Sequence, residues 1–277
     1  MSNLGRREFL LSGAAVLPLM AASRAAYAAK KDADRAPAPF RIGAQSYSFR
    51  HFKSPEEAIA QLKLLGLSEI EFCSVHFPPD TTAEGFPSIK ELIASSGVTV
   101  PVFGVEEFTA DKAANRKKFE FGKALGLEVI SANPKPDSFG HLDELCAEFN
   151  IKIGIHNHGP GADYDKVADT LAAIKGRSPL IGACVDTGHV IRSGEKPHEV
   201  IAELGDRVHS LHLKDWKHGG EEQVLGEGDM DLVAVARELK AIHFSGPIMM
   251  EYENHPDNPV PHMKKGLENF LAAAASA

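Results

Sequence analysis

Ile151-Lys-Ile-Gly-Ile-His-Asn-His158, Ile181-Gly-Ala-Cys-Val-Asp-Thr-Gly-His189 and Val208-His-Ser-Leu-His-Leu-Lys-Asp215 are three apolar runs, each closing on side chains that bind metals. Each is too short for a typical helix and suits a strand buried on both faces. A fourth run, Pro247-Ile-Met-Met-Glu-Tyr-Glu253, repeats the pattern. A histidine or a carboxylate sits near the C-terminal end of every one. A fold that gathers the C-terminal ends of parallel strands on one face would bring the four together.

Outward from this stretch, β-like runs alternate with amphipathic helical runs from Phe40 onward. Strands are expected at 40–47, 68–74, 98–105, 127–132, 151–156, 180–186, 208–213 and 247–252. Helices are expected from Ser54 to Gly66 and at 88–96, 110–125, 138–149, 165–175, 197–204, 231–243 and 262–273. Ser54-Pro55-Glu56-Glu57 places Ser at the N-cap, Pro at N1 and Glu at N3 of the first helix. Glycines at 66, 97, 126, 176 and 205 close five of the helices. Residues 217–230 form a glycine-rich polar loop. Eight strand–helix units over residues 40–277 predict an α/β chain with a single (β/α)8 TIM barrel. A doubly wound open sheet competes, but neither GxGxxG nor GxxxxGK occurs.

Residues 1–28 are set apart as an export signal. Gly5-Arg6-Arg7-Glu8-Phe9-Leu10 carries a twin arginine, a short apolar stretch follows, and Ala26-Tyr27-Ala28 offers a cleavage site. The expected partner is the twin-arginine export machinery and the expected location is the periplasm, without stable membrane insertion. Residues 29–39 form a linker. The formal net charge is -8 and no Lys/Arg block occurs, so nucleic acid and anionic membranes are poor partners. Cys73, Cys146 and Cys184 have no CxxC spacing and suit small buried positions. Homo-oligomerisation is left open.

A barrel demands that active residues lie at the C-terminal ends of its strands. His156, Asp186, His212 and Glu251 meet that demand on four successive strands. Two imidazoles and two carboxylates suit one divalent ion: manganese, with cobalt, iron or zinc as alternatives. The set is too nitrogen-rich for calcium or magnesium. Gln45, Tyr47, Glu71, Glu106 (or Glu107), Asn133 and His158 end strands around the same mouth and are candidates to bind substrate. Lys214 has two readings, a catalytic group or the ion-pair partner of Asp215. Trp216 and Phe49 are candidates for an apolar wall.

The run Asp186-Thr-Gly-His189, then His212-Leu-Lys-Asp215, Gly226-Glu-Gly228 and Glu251, with Gln45-x-Tyr47 and Glu69-Ile-Glu71, resembles the sugar phosphate isomerase/epimerase superfamily with the xylose-isomerase-like TIM barrel. The resemblance spans about residues 40–274. It implies metal ligation by Asp186, His212 and Glu251, with Glu251 also catalytic, and a catalytic role for His189 through binding or orienting substrate. One position departs: many epimerases of the family end strand five on a proton-moving glutamate, where this chain has His156.

The expected function is therefore a metal-dependent isomerase or epimerase acting on a small carbohydrate, an unphosphorylated keto-sugar, by α-proton abstraction beside a metal-bound carbonyl. The alternative is a lyase or dehydratase working by β-elimination on a 3-keto-glycoside or inosose-like ketone. Two remote alternatives are a non-catalytic sugar-binding protein and a relative of abasic-site endonucleases.

Overall fold

The computed structural model describes residues 40–277, so the expected signal and linker lie outside the described residues. Eight parallel strands close into one barrel. They are β1 Arg41–Gln45, β2 Glu69–Phe72, β3 Thr99–Phe108, β4 Val129–Pro134, β5 Lys152–His156, β6 Ile181–Asp186, β7 Val208–Leu213 and β10 Pro247–Met250. The barrel shuts where β1 pairs with β10, Gly43 opposite Met249. Two short antiparallel strands, β8 Asp215–Trp216 and β9 Glu222–Gln223, form a hairpin beyond β7.

The helices pack outside: α1 Pro55–Leu64, α2 Phe86–Ser96, α3 Lys112–Leu125, α4 Phe139–Phe149, α5 Val167–Ile174, α6 Thr187–Arg192, α7 Pro197–Leu204, α8 Leu232–Ala241 and α9 Val260–Ser276. The first begins as its sequence dictates. Ser54 accepts from Glu57 N–H and the Glu57 carboxylate accepts from Ser54 N–H. The main apolar core lies between strands and helices. Val102, Val129 and Met249 make a separate plug within the barrel. All three cysteines are buried and unpaired. No helix among the described residues is long and apolar enough to cross a membrane.

Three features depart from the sequence-based elements. β3 continues to Phe108, so Glu106 and Glu107 lie within a strand. The six-residue α6 begins directly after β6. The 217–230 loop contains half of the hairpin. Continuous apolar runs give no period from which to see the first two, and the hairpin strands are two residues each.

A β-bulge sets the register that matters most. Ala183 lies opposite Val208, but Cys184 lies opposite Ser210, so His209 is the extra residue on β7. Its ring nitrogens sit 3.0 Å from the carbonyl oxygens of Ile153 and Pro179. The shift leaves His212 directly opposite Asp186. Gly182 makes room for the bulge, because a Cβ there would overlap the Arg207 carbonyl oxygen and lie 2.7 Å from the His209 ring. Gly182→Ala is expected to destabilise the fold by about 1–3 kcal/mol, the usual cost of overpacking, read from urea unfolding midpoints.

Candidate metal centre and the cavity above it

Four neighbouring barrel strands each deliver one polar group to the C-terminal face. His156 ends β5 and Asp186 ends β6. His212 lies near the end of β7, and Glu251 follows β10. One donor atom from each lies within 4.8 Å of all the others. His156 Nε2 is 3.0 Å from His212 Nδ1 and 3.5 Å from Asp186 Oδ2, and His212 Nδ1 is 3.4 Å from Glu251 Oε2. Bonds of about 2.0–2.2 Å to a shared ion put its ligand atoms roughly 3–4 Å apart. Two observations say the residues fit an ion. Asp186 Oδ2 is a fully buried carboxylate oxygen with no hydrogen-bond partner. The two imidazole nitrogens face each other, which only a proton or a cation between them satisfies.

Each candidate ligand is aimed by a partner. Asp186 Oδ1 accepts from His189 N–H at 2.8 Å and caps α6, leaving Oδ2 toward the cluster. The Asn157 side chain bridges β5 and β6, accepting from Asp186 N–H at 2.9 Å and donating to Asp186 C=O at 3.0 Å. His212 Nε2 sits 2.8 Å from Glu71 Oε2, which fixes Nε2 as the donor and turns Nδ1 to the cluster. Glu71 is itself held by the Ser131 hydroxyl. His156 Nδ1 lies 3.3 Å from His158 Nδ1. With Nε2 facing the cluster, Nδ1–H is the donor there.

A family profile described as the xylose isomerase-like TIM barrel matches residues 135–274. The chain belongs to that family. An inosose dehydratase of Clostridium botulinum (strain Alaska E43 / Type E3) is 23% identical over 251 residues, covering 80% of this chain and 83% of that one. A crystal structure from Parabacteroides distasonis ATCC 8503 superposes with a TM-score of 0.66 at 26% identity, covering 83% of this chain and 98% of that one. The 3-keto-D-glucoside 4-epimerase of E. coli, in its apo form, gives 0.66 at 15% identity, over 84% and 99% of the chains. At that identity the last likeness concerns the fold alone.

In this xylose isomerase-like barrel a cavity of about 720 Å³ opens above the cluster. Gln45, Tyr47, His156, His158, His189, His212 and Glu251 line it, as the sequence leads one to expect, and so does Trp216. Phe49 instead lies wholly in the core. Three expected substrate contacts lie elsewhere. Glu71 is fully buried behind His212. Glu106 accepts from Ser74 at 2.9 Å and pairs with Lys118 at 2.7 Å. Asn133 donates to Glu107 at 2.6 Å in an adjoining hollow that shares only Val105 and His158 with the main cavity.

Lys214 departs from the reading that pairs it with Asp215. Its ammonium is buried off the cavity wall, 3.7 Å from Glu251 Oε2 and bonded to Glu253. Burial pulls its pKa down, but Glu251, Asp186 and Glu253 outweigh this and hold it raised. Lys214 is therefore a buried cation beside Glu251. Asp215 is not its partner. Asp215 accepts from the N–H groups of Trp216, Gly226, Gly228 and Met230 at 2.8–3.1 Å, so Gly226-Glu-Gly228 is a loop latch.

The Asp186-Thr-Gly-His189 motif divides four tasks. Asp186 faces the cluster. Thr187 Oγ1 donates to Lys214 C=O at 2.6 Å and accepts from Lys214 N–H at 2.9 Å. Gly188 clears the Lys214 stem, since a Cβ there would lie 2.8 Å from Lys214 Cγ. His189 faces the cavity, and Arg192 donates to its Nδ1 at 2.8 Å. In the neutral ring this leaves Nε2 carrying the proton. Burial pushes His158 down to about 4 and also lowers His189, so both are neutral near pH 7.

Sequence reasoning missed Glu222, which lies in the hairpin with no strand signal around it. It lines the cavity and accepts from the N–H groups of Glu253 (2.9 Å) and Asn254 (2.8 Å). Burial pushes its carboxyl up to about 7, against the pull of Lys214 and of these amides. A carboxyl raised in the fold above its unfolded value of about 4.3 contributes stability that is complete below about pH 4. That contribution is lost as pH rises to about 7. Thermal unfolding should show the native protein losing about 1–3 kcal/mol more between pH 5 and pH 8 than Glu222→Gln does.

The Glu71 bond gives a second test. Glu71→Gln keeps the shape and removes the charge behind His212. Metal affinity is expected to fall about 10–100-fold, measured by competition with a chromogenic chelator, and unchanged affinity would refute the positioning role.

Proposed function

We propose that the protein is a divalent-metal-dependent enzyme that removes the proton next to the carbonyl of an unphosphorylated keto-sugar or inosose-like ketone. The orphaned Asp186 Oδ2, aimed among three other ligand atoms at the base of the cavity, carries this reading. His156, Asp186, His212 and Glu251 would hold the ion, manganese or otherwise cobalt, iron or zinc. When bound, the ion supplies Lewis acidity that polarises a carbonyl and acidifies the adjacent C–H.

The chain's own groups divide the remaining work. Glu251, held at about 2 because Lys214 and His212 outweigh the upward push of burial, is an ionised carboxylate at the cavity wall and takes the proton. Lys214 fixes its orientation. His189 offers its Nε2–H to a substrate oxygen and is kept in that tautomer by Arg192. The hairpin and the loop after β10 cover one side of the cavity.

Two outcomes diverge after proton removal, and dehydration is the one favoured. In epimerisation a second group returns a proton to the opposite face. The end of β5 carries His156 there, engaged by His212 and His158. The wall carboxyl with an elevated pKa is Glu222. A carboxyl near 7 can protonate a leaving hydroxyl, so the C–H electrons form the new double bond and water departs. The inosose dehydratase at 23% identity supports this reading. Epimerisation or isomerisation is the second reading and shares the first step. Export by the Arg6-Arg7 signal belongs to the same proposal and would place the activity in the periplasmic fraction.

NMR in D₂O with the manganese-loaded enzyme and an inosose separates the outcomes. An unsaturated product is expected. Deuterium at the α-carbon of an intact skeleton would select the second reading, and neither change would reject the proposal. Glu251→Gln should lower kcat by at least about 10²-fold, the scale of general-base catalysis.

A further inference from the structure

Two arginines line the cavity without a direct carboxylate partner. Arg41, Arg116 and Arg177 each pair with carboxylates outside the cavity. Arg50 and Arg192 line it, and neither has an ion-pair partner among the described residues. Each guanidinium instead lies over an aromatic ring of the same wall: Arg50 is 4.8 Å from the Tyr47 ring centre and Arg192 is 5.0 Å from that of Trp216. Stacking holds a guanidinium by its face and leaves edge N–H groups open to a planar acceptor. The remaining contacts leave donors to spare. Arg50 donates to the carbonyls of Tyr47 (3.2 Å) and Glu253 (2.5 Å), and Arg192 to His189 Nδ1. Five donors per guanidinium exceed these.

Two stacked guanidinium groups in one cavity, each with unused edge donors, suit an anionic ligand. We propose that the substrate is a sugar acid: a keto-sugar bearing a carboxylate, received by Arg50 and Arg192 while the rest of the molecule reaches the metal centre. Glu222, Glu251 and Glu253 line the same cavity. A monoanionic carboxylate balances that mixed wall better than a phosphate dianion, and its planar fork matches guanidinium bidentately. This inference rests on the proposed carbohydrate site and specifies its substrate class.

The test is a binding measurement, so it reads independently of any turnover. Calorimetry on the metal-loaded protein would compare galacturonate with galactose. Galacturonate is expected to bind at least about 10-fold tighter, with its affinity, and not that of galactose, falling as salt is added. The galacturonate/galactose ratio should fall towards one in Arg50→Gln and Arg192→Gln, and Arg192→Lys should retain part of it. The ratio cancels any loss shared by both sugars, including disturbance of His189. The salt dependence of the unmodified protein gives a reading even where a variant fails to fold. Equal binding, no binding of either sugar, or a ratio that survives both substitutions would overturn the inference. So would tighter binding of galactose 6-phosphate, which would identify a phosphate site. If galacturonate shows the expected pattern and no keto-sugar reacts, the reaction reading fails and the anion site stands.

Discussion

Closing eight parallel strands into a barrel leaves their C-terminal ends pointing at one axis, and everything at the site follows from that constraint. His156, Asp186, His212 and Glu251 are as far as 95 residues apart in sequence, yet register alone brings a donor atom of each within 4.8 Å of the rest. The interior is unusual in consequence. Val102, Val129 and Met249 form an apolar plug, and the layer above holds charge. Buried charge without a partner is costly. Here Glu71 stands behind His212, Lys214 beside Glu251, and His189 N–H against Asp186. A +2 ion set against two ligand carboxylates would complete this balance.

The supporting groups share one logic: each fixes a direction. Asn157 ties the ends of β5 and β6 as a backbone pair would. Thr187 ties β6 to β7, Asp215 gathers four amides of the following loop, and Glu222 gathers two beyond β10. Site precision therefore comes from side chains that bond to backbone. Such bonds hold position with few rotatable links.

The barrel was legible from alternation of apolar strands and capped helices, and the four candidate ligands from their place at strand ends. What escaped had physical reasons. Glu71 and Lys214 share the parity of cavity residues, but their side chains are consumed by His212 and by Glu251 and Glu253. Glu106 was displaced because β3 runs three residues longer than its apolar run implied, and Asn133 because β4 runs two residues longer; their partners are Lys118 and Glu107. Glu222 sits in a two-residue strand that has no periodicity to detect. Arg50 follows a short helical turn after β1 and Arg192 ends the six-residue α6, where sequence gives no direction for a long side chain.

The bulge at His209 also bears on how this chain can change over evolutionary time. Loops beyond the strand ends can lengthen or shorten while the barrel beneath them stays in phase. Between Gly182 and His212 the phase itself carries information, because β7 holds one residue more than its neighbour. Losing that residue would slide the imidazole of position 212 off Asp186 and turn its side chain toward the helices. Substitutions can retune this enzyme one contact at a time. A single-residue deletion there would erase its centre in one step, so length in β7 should be far more constrained than identity.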